Sequence, residues 1–420
     1  MQFNEYAFYR IMGNVKLPIV FSEQAMLDAF QRLRVSEPYE LLENKQIYDL
    51  QPNFWSSKTL TGSAITFTSG SGATTLTVSN SSGSFAARQT KRRLLYQPGK
   101  SVEFMGTSVF GGAVSGIVKR YGIFDTNDGI FLQQSGSTVS WVVRSSGSVF
   151  RQADQGDWNL DKLDGYGSSG KTLDLSKVQI SLIDFEWLGA GRVRCGFVID
   201  GKKLYTHQFL FANVITGTYM GNPNLPVRVE MKNETNAAST NMSHICFTIS
   251  SEGGLEQKGS SFTIDNGYGS GRSVLSGSYT PILSLRLNSS KLGTHVVPIM
   301  SSVLCTTNTN FRWALLRNPA LSGSDNASWQ NVPNSNAQYD VSRTNTILSE
   351  GTVLYSGYGS AVAQQGHQGA SNVGNVSIFG SGDVLGSDID GVSDELVLAI
   401  RHFDTNANTF YSSLTYREVM

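Results

Sequence analysis

The most regular alternation of apolar and polar positions lies between Val178 and Gln208. Val178 to Trp187 reads as one β-strand, Arg192 to Ile199 as a second and Lys202 to Gln208 as a third. Gly189-Ala190-Gly191 separates the first two, and Asp200-Gly201, a strong two-residue hairpin signal, joins the last two. A three-residue loop at 189–191 predicts Trp187 opposite Val193, Phe185 opposite Cys195, Ile183 opposite Phe197 and Glu186 opposite Arg194. One face of this hairpin is then core, and the other carries Asp184, Glu186, Arg192 and Arg194. Val178, Ile180 and Leu182 hold the charged face's positions earlier in the strand, which predicts burial on both faces there or a bulge near Leu182-Ile183.

Strand patterns continue on both sides. Ala64–Thr68 and Ala73–Ser79 alternate around Ser69-Gly70-Ser71-Gly72, and Val102 to Trp141 supplies further strands. Among these, Tyr121–Phe124 and Ile130–Gln133 flank the turn Asp125–Gly129. Phe209–Val214, Val227–Met231 and His244–Ile249 complete a first sandwich, and a Gly/Ser-rich passage from Ser251 to Gly271 follows. Ile282–Leu287, His295–Ile299, Val303–Thr306, Arg312–Leu316, Val353–Tyr355 and Leu396–Phe403 read as strands of a second β domain. Two polar passages, Ser322–Gln338 and Gly357–Ser387, read as extended surface loops within it.

One stretch has helical spacing. Met26, Ala29, Phe30 and Leu33 predict a short helix over 22–34 capped by Ser22, with Arg32 and Arg34 pointing away. The apolar groups of residues 1–54 are too few for a core of their own. They read as an arm that docks on a neighbouring domain or subunit, or packs on its own sandwich, with Phe30, Arg32, Leu33 and Arg34 as its contacts. The pattern therefore predicts an all-β chain of two β-sandwiches, lectin-like or jelly-roll-like. Its parts are an arm (1–54), a first sandwich (55–255), a linker (256–275) and a second sandwich (276–420).

Composition narrows the function. The 420 residues include 43 glycines, only 16% are charged, and the net charge is zero. This suits turn-rich β structure and argues against direct nucleic-acid binding, which wants a basic surface. Lys91-Arg92-Arg93 is short and isolated, and reads as a solvated strand end rather than a nucleic-acid or import signal. The three cysteines, Cys195, Cys246 and Cys305, lie in apolar runs without zinc spacing, as reduced core thiols would. There is no charged and apolar leader pattern and no run of about 18 apolar residues, so neither a signal peptide nor membrane insertion is expected.

Several motifs suggest chemistry. Gly165-Tyr166-Gly167-Ser168-Ser169-Gly170-Lys171-Thr172 matches the P-loop pattern, but no apolar strand precedes it and no helix can follow, so it reads as a chance match. Asp125–Gly129 resembles a calcium loop one residue short, and reads as a hairpin turn. No metal or cofactor is expected. Asp184 and Glu186, at i and i+2 of one strand face, match the carboxylate placement of some β-sandwich glycosidases. Leu182 stands where such enzymes usually carry another acid, and Arg192 and Arg194 offer ordinary ionic partners. Trp141, Trp158 and Tyr166 fall at loops or strand ends, where aromatic rings can stack on a host-surface glycan.

Three stretches carry a resemblance. Asp28-Ala29-Phe30-Gln31-Arg32-Leu33-Arg34-Val35-Ser36, Tyr96-Gln97-Pro98-Gly99-Lys100-Ser101 and Asp184-Phe185-Glu186-Trp187-Leu188-Gly189-Ala190-Gly191-Arg192-Val193-Arg194 resemble a family of virion structural proteins of tailed phages, many of them marine, and of some large algal viruses. The similarity spans roughly residues 25 to 255, and Gln31 stands where the family more often has Gly. It implies a non-enzymatic particle component made in the host cytoplasm. Such a component would be a homo-oligomer on capsid, collar, tail or fibre, with other virion structural proteins as partners. The competing expectations are a receptor- or glycan-binding tail protein and a polysaccharide-cleaving enzyme.

Overall fold

The computed structural model describes residues 7–12, 15–20, 26–256, 258–267, 269, 271–275, 277–307, 309–361 and 384–419. The chain is all-β, the strand pairs among the described residues are antiparallel, and the chain divides into two compact units, Met1–Thr90 with Leu94–Leu255, and Lys91–Arg93 with Glu256–Met420. No helix among the described residues is long and apolar enough to cross a membrane.

The first unit is a sandwich of two sheets. One has seven strands in the order Ser148–Asp154, Thr138–Ser145, Gly129–Ser135, Ile117–Phe124, Val227–Asn233, Phe85–Thr90, Trp55–Leu60. The other has Lys202–Phe209, Val193–Ile199, Gln179–Phe185, Val102–Val109, Thr240–Glu252, Ala73–Val78 and Ala64–Thr68 in order, with Pro38–Lys45 also paired to Thr240–Glu252. Successive side chains on a strand face opposite ways. In the second sheet this makes two adjacent cross-strand rows of opposite character. Cys195, Ile183, Phe104 and Ile249 are paired neighbours and belong to the hydrophobic core. One residue along, Arg194, Asp184, Glu103 and Ser250 are paired neighbours facing the other way.

The hairpin at the centre differs from its expected register. Phe185 lies opposite Val193, Ile183 opposite Cys195 and Asp184 opposite Arg194. The slip is two residues, so every side chain keeps its predicted face but changes partner. The turn explains it. It spans Trp187 to Gly191, closed by the Gly191 N–H to the Trp187 carbonyl at 2.8 Å, with Leu188 and Gly189 at φ of 34° and 80°. Gly191 is required there, since a Cβ would sit 1.8 Å from the Glu186 carbonyl oxygen. The Asp200-Gly201 hairpin forms as expected, with Ile199 opposite Lys202 and φ of 52° and 74° at the two turn residues.

Two boundaries shift. Pro38–Lys45, expected in the arm, is a sheet strand, because Leu42 reaches the core. Residues 256–275, expected as a linker, contain strands Gly259–Asp265 and Arg272–Val274, both paired to the long strand Asn408–Val419. Their Gly and Ser content reads as loop, but Ile264 and Val274 are buried in the second unit's core. That unit comprises a sheet built on Asn408–Val419 and a six-stranded sheet. The strands of the latter run Gln330–Asn331, Ala337–Asp340, Thr280–Leu287, Glu395–His402, Thr309–Arg317, Thr352–Ala361. Most of the expected Gly357–Ser387 loop, from 362 to 383, lies outside the described residues.

Gly106 marks a tight point in the first core. A Cβ there would lie 2.4 Å from the Phe104 ring and 2.7 Å from the Tyr121 ring, two buried aromatics packed edge to face. Overpacking of this kind costs about 1–3 kcal/mol. Gly106→Ala is expected to lower the unfolding free energy by that amount, read as a lower urea midpoint with an unchanged slope.

Candidate functional site: a clasp between an N-terminal turn and the sheet

The predicted helix is not formed in its described part. Ser22 to Ala25 lie outside the described residues, and Met26–Arg34 folds as a compact turn. Leu27 bridges Leu33, Arg34 N–H donates to the Met26 carbonyl at 2.9 Å, and Asp28 N–H donates to the Arg32 carbonyl at 2.8 Å. Asp28 holds the tip from within. Its Oδ1 accepts the N–H groups of Phe30 and Arg32 at 2.9 and 2.8 Å, and its Oδ2 accepts Arg32 Nε at 2.6 Å. An Asp that satisfies local amides competes with a helix, and here it wins. Gln31, at the tip, has φ of 67°, in the left-handed region that favours Gly.

This turn lies on the charged row of the eight-stranded sheet. Arg192 donates from Nε to the Ala29 carbonyl at 2.9 Å and from Nη2 to the Asp28 carbonyl at 3.2 Å. Arg194 Nη2 donates to the Leu27 carbonyl at 2.6 Å and also contacts Asp184. Ser101 Oγ accepts the Ala29 N–H at 3.3 Å and donates to Asp184 Oδ1 at 2.9 Å. In return Arg34 reaches down to the sheet, to Asp184 Oδ2 at 2.8 Å, Glu252 Oε1 at 2.7 Å and Glu103 Oε2 at 3.0 Å. Lys203 neutralises the other Glu103 oxygen at 2.6 Å.

Asp184 is the node. It is 0% exposed, and besides Arg34, Arg194 and Ser101 it accepts the Tyr205 hydroxyl at 2.9 Å. Burial pushes its pKa up, but the two guanidinium groups and the two hydroxyls outweigh this and hold it below the ordinary carboxylate range. The same contacts act on Arg34, whose pKa burial lowers and Asp184, Glu103 and Glu252 raise, to a net upward shift.

Glu186 behaves differently. Its Oε1 accepts the Tyr96 hydroxyl and the Gly99 N–H, the latter at 3.0 Å, but its Oε2 is buried without a hydrogen bond. Burial raises its pKa to about 7, against the hydrogen bonds from Tyr96 and Gly99 and the charge of Arg32, with Asp28 adding to the rise. Two carboxylates at i and i+2 thus have pKa values pushed apart, which is the electrostatic pattern of an acid–base pair. Access is missing: both side chains are buried, and the 26–34 turn is bonded across this face. Asp184 is the socket of the clasp, and Glu186 lies beside it, bonded to Tyr96 and Gly99.

The other predicted contacts separate. Phe30 is 41% exposed and the Arg32 side chain 52%, so these two face outward, whereas Arg34 is consumed by the clasp and Leu33 by the turn. Trp141 and Trp158, expected to meet a glycan, are core residues with their rings against Phe197. Their indole N–H groups donate to Thr206 Oγ1 at 2.9 Å and to the Ala153 carbonyl at 3.1 Å. The correction follows from alternation: Trp141 sits on an inward position of its strand, and Trp158 follows a short 3-10 turn that folds it inward. Tyr166 is 95% exposed at the tip of the Gly-rich loop.

That loop shows why its motif matches without a nucleotide. Asp161 occupies the cradle. Its carboxylate accepts the N–H groups of Leu163 and Ser169 at 2.9 and 2.7 Å and the Ser168 hydroxyl at 3.0 Å, and a Cβ at Gly167 would lie 2.1 Å from it. Lys171 turns away to Asp200 at 2.6 Å. In the Asp125–Gly129 turn, Asp125 Oδ1 accepts the N–H groups of Asn127 and Asp128 at 2.8 and 2.9 Å. Among the described residues no group of three or more His, Cys, Asp and Glu side chains is placed to hold a metal ion.

The residues missed in the sequence are Glu103, Tyr205 and Glu252. Glu103 is an isolated acid in a strand pattern and Glu252 opens the Gly/Ser-rich passage after another, and only sheet order brings them beneath Arg34. By contrast, all three stretches that carry the family resemblance meet here: Asp28 to Arg34 above, Tyr96 to Ser101 at the side, Asp184 to Arg194 below.

No family model matches the chain, and no curated protein matches its sequence. Among solved structures, the chain is similar to a protein of unknown function from Shewanella oneidensis MR-1, at 11% identity and a TM-score of 0.33 over 58% of this chain and 99% of that one. It is also similar to a glycosyl hydrolase family protein from Mycobacterium fortuitum, at 8% identity and a TM-score of 0.36 over 50% of this chain and 99% of that one. A third is the carbohydrate recognition domain of Emp47p, at 10% identity and a TM-score of 0.30 over 51% of this chain and 96% of that one. Likeness at this level carries no argument about what the chain binds or does.

The clasp generates expected outcomes. Asp184→Asn leaves Arg34 and Arg194 buried without their shared charge, a loss of about 3–5 kcal/mol in denaturant unfolding. Glu186 has a folded pKa above its unfolded value, so the folded state binds the extra proton between pH 4.5 and about 7. Its contribution is full below pH 4.5 and is lost as pH rises through 7, at most about 3 kcal/mol. Glu186→Gln is expected to flatten that decline in a pH series of unfolding midpoints. Gln31→Gly relieves the left-handed backbone and removes a buried Oε1 that has no hydrogen bond, and is expected to raise stability by up to about 1 kcal/mol.

Proposed function

We propose that the protein is a non-enzymatic structural component of the particle of a tailed phage or related virus, assembled as a homo-oligomer with other virion structural proteins. The observation that carries this reading is the convergence of the three resembling stretches on one buried clasp. Such a clasp fixes the path of the chain leaving its N-terminal segment, which is what an assembly protein needs. It also occupies Asp184, and Glu186 is buried beside it, so the reading assigns them no hydrolysis. The N-terminal segment adds support. Ala7–Met12 and Val15–Val20 form a two-stranded sheet of their own, paired to no other described strand. A hairpin of this size is marginal by itself in water and gains stability by adding to another sheet or surface.

Quantitative peptide mass spectrometry on purified particles, scaled to the major capsid protein, tests the proposal. Comparable copy number places the chain in the capsid shell or on it, and a low, ring-like number places it in collar, tail or fibre. Absence from particles overturns the proposal. Deletion of residues 1–20, whose two strands pair with no other described strand, is expected to change the unfolding free energy of the protein by no more than about 0.5 kcal/mol, and to reduce incorporation into particles at least tenfold.

A further inference from the structure

The sheet face that carries the clasp continues beyond it. Next to Asp184 and Glu103 on that face come Leu182 and Met105, then Ile180 and Thr107. An open cleft of about 620 Å³ lies here, over Met105, Thr107, Ile180, Cys246 and Thr248. That is the size range of small-ligand sites, about 300–1,000 Å³. Its side wall is the segment following the Pro38–Lys45 strand, which presents Ile47 and Tyr48. Tyr48 is 81% exposed.

The wall is held in place from beneath. Gln46 is buried, and its Oε1 accepts Arg88 Nη1 and Thr74 Oγ1, both at 3.0 Å. Arg88 also donates to the Leu50 carbonyl and contacts His244 Nε2 at 2.9 Å. Gln51 Nε2 donates to the Lys45 carbonyl at 2.7 Å. Arg88 is fully buried and stacks on Trp55 at 4.7 Å, and burial depresses its pKa to about 9. A buried cation is costly, and this one is used to immobilise a short surface loop whose outward product is an exposed tyrosine.

The lining indicates the ligand's chemistry. Met105, Thr107, Ile180, Cys246 and Thr248 are uncharged, and the paired strand beside them adds one carboxylate, Glu43, and one ammonium, Lys45, so the lining carries no net charge. Met105 and Ile180 offer an apolar patch, while Glu43 and Lys45 at the rim offer one acceptor and one donor group. An amphipathic ring with an apolar face and a hydroxyl edge fits both. We propose that this cleft binds a neutral pyranose unit of a glycan, its ring held between Tyr48 and the Met105–Ile180 patch and its hydroxyls turned to Glu43 and Lys45. The site is separate from Trp141, Trp158 and Tyr166, and it stands whether or not the chain is a particle component.

Cys246 provides the readout. It is half-buried in the cleft floor, whereas Cys195 and Cys305 are buried elsewhere. Alkylation of Cys246 is followed by peptide mass spectrometry in the full chain. The probes are neutral tetrasaccharides of glucose, galactose, mannose and N-acetylglucosamine, with sialylated and uronate oligosaccharides beside them. At least one neutral probe is expected to slow alkylation several-fold and saturably. Tyr48→Ala, with an unchanged circular dichroism spectrum, is expected to weaken that protection at least tenfold, and Tyr166→Ala to leave it intact. Protection by none of the probes, protection by the charged ones alone, or protection that survives Tyr48→Ala overturns the proposal.

Discussion

The first unit is arranged around one buried negative charge. Asp184 projects from a central strand onto the face that does not enter the core, yet no water reaches it. An isolated carboxylate in that position would take up a proton. It stays ionised because Arg194 comes across the hairpin and Arg34 comes from the N-terminal turn, with Ser101 and Tyr205 completing its hydrogen bonds. Each requirement fixes something else. The hairpin register must put Arg194 opposite Asp184, and the turn must close so that Arg34 points down. Arg192 and Arg194 then satisfy the turn's own carbonyls. Buried ion pairs of this kind contribute little net stability but make alternative arrangements expensive. The clasp is therefore better understood as a device for position than for strength.

Period-two alternation made most of the first sandwich legible. It separated the Ile183–Phe185 face from the Asp184–Glu186 face, and the Asp-Gly hairpin was readable from turn chemistry alone. What it could not decide was the pairing across Gly189-Ala190-Gly191. Registers two residues apart place the same side chains on the same faces, and only the left-handed conformation at Leu188 and Gly189 chooses between them. The 26–34 turn misled for a related reason. Its apolar spacing fits a helix, but Asp28 satisfies the local amides at shorter range than helix propagation could. At Ser251–Gly271 composition outweighed pattern: Ile264 and Val274 are sparse among Gly and Ser, and their strands form only because Asn408–Val419 supplies the partner.

The chemistry was legible as residue types and not as roles. Asp184 and Glu186 were identifiable as a carboxylate pair on one face, and Arg192 and Arg194 as their natural partners. Whether such a pair faces substrate or the chain's own arm depends on contacts 150 residues away. The Gly-rich loop is instructive in the same way. Its backbone amides do bind an anion, but the anion is Asp161 of the same chain. The physical logic of the motif holds while the inference to a nucleotide fails. The tryptophans were misplaced because Trp141 occupies an inward position of its strand and Trp158 is turned inward after a short 3-10 turn.

One face of one sheet thus carries two environments within a few residues. At the Asp184 end every charge is answered by another and the surface is closed by the chain itself. At the Ile180 end the floor is uncharged, the side chains are small or apolar, and the wall is fixed by Arg88 from behind. The two ends share the strands Val102–Val109 and Gln179–Phe185, so the clasp and the cleft floor are built on one hydrogen-bonded strand pair. A site positioned this way does not have to order its floor when a ligand arrives, and that saving is a direct contribution to affinity. Two of the first unit's buried charges, Asp184 on one side and Arg88 on the other, are bonded to the segments that border this face.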